Sequence, residues 1–144
     1  MSDAGCVFCK IAAEQADAHI IDENELSISI LDIQPLARGH CLVIPRRHVP
    51  WWHDLTPEET ASLFELARVT AGRIQRALSP DFVAMYVRGR RIPHTHVFLV
   101  PTWLHDPLDR FFNALEGFQE SADAMAGLRA NGSRAEVAEI LRRS

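Results

Sequence analysis

No stretch of the chain approaches the roughly 20 consecutive apolar residues that a bilayer-spanning helix needs, so a transmembrane segment is excluded. The opening residues, Met1-Ser2-Asp3-Ala4-Gly5, lack a basic region followed by an apolar one, and no secretory leader is expected. Internal repeats, low-complexity tracts and linkers are missing too. There is no excess of positive charge: the formal charge of −4 removes any general attraction to nucleic acid or to an anionic membrane. Anion binding must then come from a local cluster, and Arg88, Arg90 and Arg91 form one. The setting these absences imply is the cytoplasm, where three cysteines do not make a disulfide framework. Cys6-x-x-Cys9 points there to metal or redox chemistry. What is present is ordinary for a globular protein: 144 residues, 47% hydrophobic and 24% charged, enough for a single core.

The elements follow from periodicity and punctuation. Cys6 to Ala13 reads as one or two helical turns. His19-Ile20-Ile21 and Leu26 to Leu31 read as a hairpin joined by Asp22-Glu23-Asn24-Glu25, with Leu26, Ile28 and Ile30 sharing a face. The chain turns through Pro35 and Gly39 into a third strand, His40 to Ile44, stopped by Pro45. Thr56-Pro57-Glu58-Glu59 opens a helix with an N-cap threonine, a proline at the first position and a capping-box glutamate. Leu63, Leu66, Ala67, Thr70, Ile74, Ala77 and Leu78 then form its buried face. Phe82 to Val87 and Ile92 to Val100 are two further strands, and helices are expected near 107–126 and 133–143, separated by Asn131-Gly132. This is an α+β pattern: a five-stranded, mostly antiparallel sheet with one long helix across it. Residues 1–101 are expected to form that domain, and 102–144 a helical extension packed on it or on a dimer.

The chemistry concentrates at Pro93-His94-Thr95-His96-Val97-Phe98. On a strand alternate side chains share a face, so His94, His96 and Phe98 stand in a row, with the two imidazoles about 7 Å apart. Each can be a nucleophile, a proton carrier or a metal ligand, or simply a hydrogen-bonded core histidine. Asp32 ends a strand beside a glycine-containing loop. Its carboxylate could accept hydrogen bonds from ligand hydroxyls or could serve the turn. His40 follows Gly39, and a glycine there lets a backbone or a ligand come close. Cys6 and Cys9 are half of a tetrahedral metal site, for which His48 and His94 are the distant candidates. Trp51-Trp52 and Phe111-Phe112 read as core or dimer-interface anchors and are assigned no chemistry.

Three blocks together carry a resemblance: Cys6-x-Phe8-Cys9-Lys10-Ile11, then Leu31-Asp32-Ile33-x-Pro35-x-x-x-Gly39-His40-x-Leu42-Val43-Ile44-Pro45-x-x-His48-Val49, then His94-x-His96. The chain resembles the histidine-triad (HIT) family of nucleotide hydrolases and transferases over residues 6 to about 101. The resemblance implies a homodimer whose sheets join, and a bound purine mononucleotide or nucleotidyl substrate. It places His96 as the nucleophile toward an α-phosphate, with His94 and His40 supporting it. It places Asp32 on the ribose hydroxyls, Phe8, Ile11, Ile30, Ile33 and Leu42 around the base, and Zn2+ on Cys6, Cys9, His48 and His94.

Two departures stand out. Phe98 occupies the place of the third histidine and can neither donate a proton nor bond to phosphate, a loss of about two to four orders of magnitude if that position transfers a proton. The polar loop before the triad is shortened, with Arg90 where a glutamine would fall. Arg90 and its neighbour Arg91 can still clamp phosphate. The expected activity is hydrolysis or transfer through a nucleotidyl-histidine intermediate, on phosphoramidate, nucleotidyl-acyl or dinucleoside polyphosphate substrates. The alternative is a nucleotide-binding or zinc-stabilised module with weak or no catalysis.

Overall fold

The computed structural model describes residues 5–121, 123, 125–126 and 133–144. The chain divides into two compact units, Met1–Leu104 and His105–Ser144. In the first, helix α1 (Val7–Ala12) precedes strands β1 (Ile20–Glu23), β2 (Ser27–Leu31) and β3 (Cys41–Pro45). Helix α2 (Pro57–Leu78) follows, then β4 (Phe82–Tyr86) and β5 (Val97–Thr102). The strands form one sheet in the order β1-β2-β3-β5-β4, every neighbouring pair antiparallel. The second unit holds α3 (Pro107–Gly117), a 3-10 turn at Phe118–Glu120, and α4 (Arg134–Arg143). The expected helix over 107–126 is therefore interrupted: α3 ends at Gly117, the 3-10 turn follows, and Asp123, Met125 and Ala126 are helical again. The expected break at Asn131-Gly132 lies outside the described residues.

The hairpin closes later than its sequence suggests. Asp22 and Glu23 belong to β1, because the Asn24 side-chain oxygen accepts the amides of Leu26 (3.2 Å) and Ser27 (2.8 Å) and makes the turn in two fewer residues. Both faces of the sheet are covered. On one, α2 lies over the strands and buries Leu63, Leu66, Ala67 and Ile74 against Cys41, Val43, Val97 and Leu99. The serines of β2 face this helix and are satisfied within it: Thr70 donates to Ser29 Oγ at 2.9 Å, and the Ser27 and Ser62 hydroxyls meet at 3.1 Å. On the other face, α1 brings Cys6, Phe8 and Ile11 onto Ile28, Ile30, Leu42 and Ile44.

β5 begins at Val97, five residues later than its apolar composition predicts, and runs on through Pro101 to Thr102. Its last pairing with β3 is Leu99 with Cys41, so Pro101 lies where β4 is the only described neighbour and its missing N–H breaks no bond to β3. Residues 92–96 approach the sheet without laddering regularly. Thr95 instead holds the Val49 carbonyl twice, through its amide at 2.7 Å and its hydroxyl at 2.8 Å.

The start of α2 is fixed as its sequence indicates. Thr56 Oγ1 accepts the Glu59 amide and the Glu59 carboxylate accepts the Thr56 amide. The same carboxylate takes Arg47 bidentately, at 2.6 and 2.7 Å, which ties the end of β3 to the helix. Thr56→Ala should lower unfolding free energy by about 1 kcal/mol and Thr56→Ser by much less, read as a shift in the urea midpoint at unchanged slope.

Candidate functional site

The row of rings survives even though the strand starts late. His94, Thr95 and His96 are all buried, and the alternation into β5 is maintained. His96 lies between Phe8 (ring centroids 5.1 Å apart) and Phe98 (4.9 Å), and Phe8 also meets His94 edge-on at 5.6 Å. His94 and His96 therefore share one face with α1, while Thr95 points to the Val49 segment.

Hydrogen bonds fix the tautomers. His96 Nδ1 is 2.7 Å from the His94 carbonyl oxygen, which can only accept, so Nδ1 carries the proton and Nε2 keeps its lone pair. Burial lowers the His96 pKa, against the opposing pull of that carbonyl and of Asp32, and keeps the ring neutral. Gly89 packs directly on this imidazole: a Cβ there would stand 2.3 Å from His96 Cε1. Nothing in the local sequence reveals this contact, because loop and ring are brought together only by tertiary structure.

His94 Nε2 is 2.8 Å from the Pro45 carbonyl, so it donates, and Nδ1 is left as a bare nitrogen. That nitrogen lies 3.5 Å from Cys6 Sγ and 3.5 Å from Cys9 Sγ, and Cys9 Sγ lies 3.2 Å from His48 Nδ1. The four donor atoms lie within 4.8 Å of one another. Bond lengths of about 2.3 Å to sulfur and 2.05 Å to nitrogen, arranged tetrahedrally, place neighbouring sulfur and nitrogen donors about 3.5 Å apart. The donor types, the spacing and the carbonyl behind His94 all fit a divalent metal.

The remaining expected site residues distribute unevenly. Phe8, Ile11, Ile30 and Leu42 come together, but as members of a closed apolar cluster; Ile33 is 95% exposed and stands outside it. Asp32 accepts the Gln34 amide at 2.7 Å through Oδ1, the turn role, while Oδ2 is 3.6 Å from His40 Nε2. His40 is buried, and its ring stacks on Phe98 at 5.6 Å, so it reaches His96 by way of Phe98. A Cβ at Gly39 would meet Leu78 of α2, so the glycine permits a close approach of that side chain. Phe98 also stacks flat on Tyr86, with centroids 4.6 Å apart.

Arg88 and Arg90 rim a hollow of about 200 Å3 beside His96, with Gly89 and Thr95 in its wall; Arg91 is exposed nearby. Its opposite wall is Pro50, Trp51, Trp52 and His53. The tryptophans are thus surface residues, 57% and 49% exposed, and not core anchors: the 3-10 turn Trp52–Asp54 holds them off the sheet. Phe111 is likewise 62% exposed.

His40 gives this site a pH signature. Its Nδ1 accepts the Leu36 amide at 3.1 Å, its Nε2 has no hydrogen-bond partner among the described residues, and burial lowers its pKa from the ordinary 6.5, with Asp32 opposing. Below pH 6.5 the unfolded chain binds a proton that the folded chain resists, so stability falls as pH falls and is flat above. Urea unfolding between pH 7.5 and 5.5 should show that loss, and His40→Gln should reduce it, leaving the share that the buried His96 contributes with the same sign.

Comparison with known proteins places this geometry. Adenylylsulfatase HINT3 of Arabidopsis thaliana is 31% identical over 101 residues, 67% of this chain and 51% of that protein, so the chain spans about half its length. Adenosine 5'-monophosphoramidase hnt1 of Schizosaccharomyces pombe is 33% identical over 92 residues, 64% of this chain and 66% of its own. In three dimensions the chain is similar to a Zn-bound histidine triad family protein from Mycobacterium smegmatis. The TM-score is 0.68 at 33% identity, over 74% of this chain and 81% of that one. The HIT domain matches residues 13–104, a span that holds His40, His48, His94 and His96 and begins after Cys9. With its five-stranded antiparallel sheet, the chain belongs to the HIT domain family.

Proposed function

We propose that the protein is a nucleotide hydrolase or nucleotidyl transferase that attacks an α-phosphate with His96. The observation that carries this reading is the His96 tautomer: Nδ1–H is spent on the His94 carbonyl, and the ring that bears the free Nε2 borders a hollow rimmed by two arginines. Nε2 forms a bond to phosphorus as the bond to the leaving group breaks. Arg88 and Arg90 stabilise the phosphoryl oxygens as charge moves onto them. Water then displaces the imidazole, its proton passes to solvent, and the nucleotide departs. Asp32 would orient the ribose hydroxyls of a purine mononucleotide. The activities named for the Arabidopsis and fission-yeast relatives, on an adenylyl sulfate and an adenylyl phosphoramidate, support a nucleotidyl substrate.

Cys6, Cys9, His48 and His94 would hold zinc, the metal named for the mycobacterial structure. With all four ligands supplied by the protein, the ion's contribution would be structural, joining α1 to the histidine segment. A homodimer is part of the same reading, supported by the exposed Phe82 and Met85 on edge strand β4. A cytoplasmic setting belongs to it as well. No helix among the described residues is long and apolar enough to cross a membrane.

A second reading, a nucleotide-binding or zinc-stabilised module with little turnover, draws on two observations. Phe98 stands in the third position of the row, and the side chains expected to hold the base are packed shut.

Incubation with adenosine 5'-phosphoramidate and rapid quenching should add one adenylyl mass to the intact protein, and His96→Ala should abolish both the adduct and turnover. Turnover with no such mass, at an equal rate in His96→Ala, refutes the nucleophile. Elemental analysis should find one zinc per chain, lost in Cys9→Ser, and chelation should lower the thermal midpoint.

A further inference from the structure

Breaking a bond from phosphorus to nitrogen needs a proton on the departing atom, and the groups closest to His96 have none to spare. Its own Nδ1–H is held by the His94 carbonyl, and the His94 Nε2–H by the Pro45 carbonyl. The Thr95 hydroxyl donates to the Val49 carbonyl. Phe98, with its ring centroid 4.9 Å from that of His96, carries no exchangeable proton. His40 keeps a proton on Nε2, because its Nδ1 accepts the Leu36 amide, but that nitrogen is sealed from solvent and faces Asp32. The arginines on the rim do not serve either, since a guanidinium does not give up a proton.

Among the described residues, a hydroxyl remains on the same face at Tyr86 of β4. Tyr86 is the direct cross-strand partner of Phe98, and directly opposed residues of an antiparallel pair share a face. Val87, next in the chain, packs against the α2 cluster and so points the other way. The Tyr86 and Phe98 rings lie flat on each other, 4.6 Å between centroids and 8° between planes, so Tyr86, Phe98 and His96 stand in contact one after another. Because β5 runs between β3 and β4, Tyr86 reaches Phe98 from the side opposite His40. The phenol feels the charges of Asp32, the residue expected at the ribose, and of Arg88 on the rim of the hollow. Burial, which Asp32 reinforces and Arg88 opposes, raises its pKa above the ordinary 10, so the proton is present at neutral pH.

We propose that Tyr86 is a catalytic proton donor to the leaving group, doing from β4 what Phe98 cannot do from β5. This rests on the reading of His96 as nucleophile. As Nε2 bonds to phosphorus, the bond to the departing nitrogen breaks. That nitrogen keeps the bonding electron pair and takes the proton of the Tyr86 hydroxyl. The phenolate, stabilised by the Arg88 guanidinium, regains a proton from solvent before water resolves the nucleotidyl-histidine. Phe98 is then the flat support on which the phenol rests, and not a gap in the row.

A proton donor must act according to the leaving group. Adenosine 5'-phosphoramidate needs the proton, whereas the p-nitrophenyl ester of adenosine monophosphate releases a stable anion without one. Tyr86→Phe keeps the ring and its stacking and removes only the hydroxyl. It should lower kcat/KM for the phosphoramidate about 100-fold, and by at least about 10-fold more than for the nitrophenyl ester. Phe98→His placed in the Tyr86→Phe background should recover about 10-fold or more of the phosphoramidate rate, by returning a donor to the row. Equal losses on the two substrates, or a phosphoramidate rate that Tyr86→Phe leaves unchanged, overturn the proposal. So does a selective loss in His53→Gln, on the opposite wall of the hollow, with none in Tyr86→Phe. Intact mass separates this outcome from failure of the nucleophile. An adenylyl adduct on His96 from the nitrophenyl ester, beside any of those results, removes the role of Tyr86 alone. No adduct from either substrate removes the nucleophile, and the donor with it.

Discussion

His94 is the residue on which the site depends, because a single side chain and its carbonyl make three connections. Its Nε2–H binds the last residue of β3, its Nδ1 completes the donor group with Cys6, Cys9 and His48, and its carbonyl orients His96. The donor group and the free nitrogen of His96 are therefore two consequences of one backbone placement. That placement is set from both sides. The pairing of Val43 with Val97 fixes the chain on one side, and the double grip of Thr95 on the Val49 carbonyl fixes it on the other.

Burial on both faces of the sheet explains why so much of the site is dry. α2 closes one face with aliphatic side chains and a few satisfied hydroxyls. The six residues of α1 close the other, too few to be stable alone. What keeps α1 in place is the burial of Phe8 and Ile11 and the two cysteines at its start, so the ring that walls His96 depends on the same contacts as the donor group. The dryness keeps His96 and His40 neutral by a common cause, the cost of burying charge.

Local signals carried much of this architecture. The capping box at Thr56, the period-two row in β2 and the Cys6-x-x-Cys9 spacing each follow from a few adjacent residues, and the structure has all of them. Properties set by distant partners were not legible. The composition of Ile92 to His96 is that of a strand, but the Thr95 amide donates to the Val49 carbonyl and the His94 amide to the Ile92 carbonyl, so the ladder starts only at Val97. Trp51 and Trp52 have the composition of a core and lie at the surface, because the short 3-10 turn and Pro50 lift them away. Ile33 shares its block with Asp32, yet it faces solvent because the turn that Asp32 caps swings it outward.

The contact of Gly89 with the His96 ring divides its loop into positions of unlike mutational freedom. Arg88 and Arg90 rim the hollow beside the imidazole and are exposed, so their charge or length can change as substrates change, while the residue between them has no room for even a methyl group. Divergence among descendants of this chain should therefore retune the rim and leave one invariant gap at its centre.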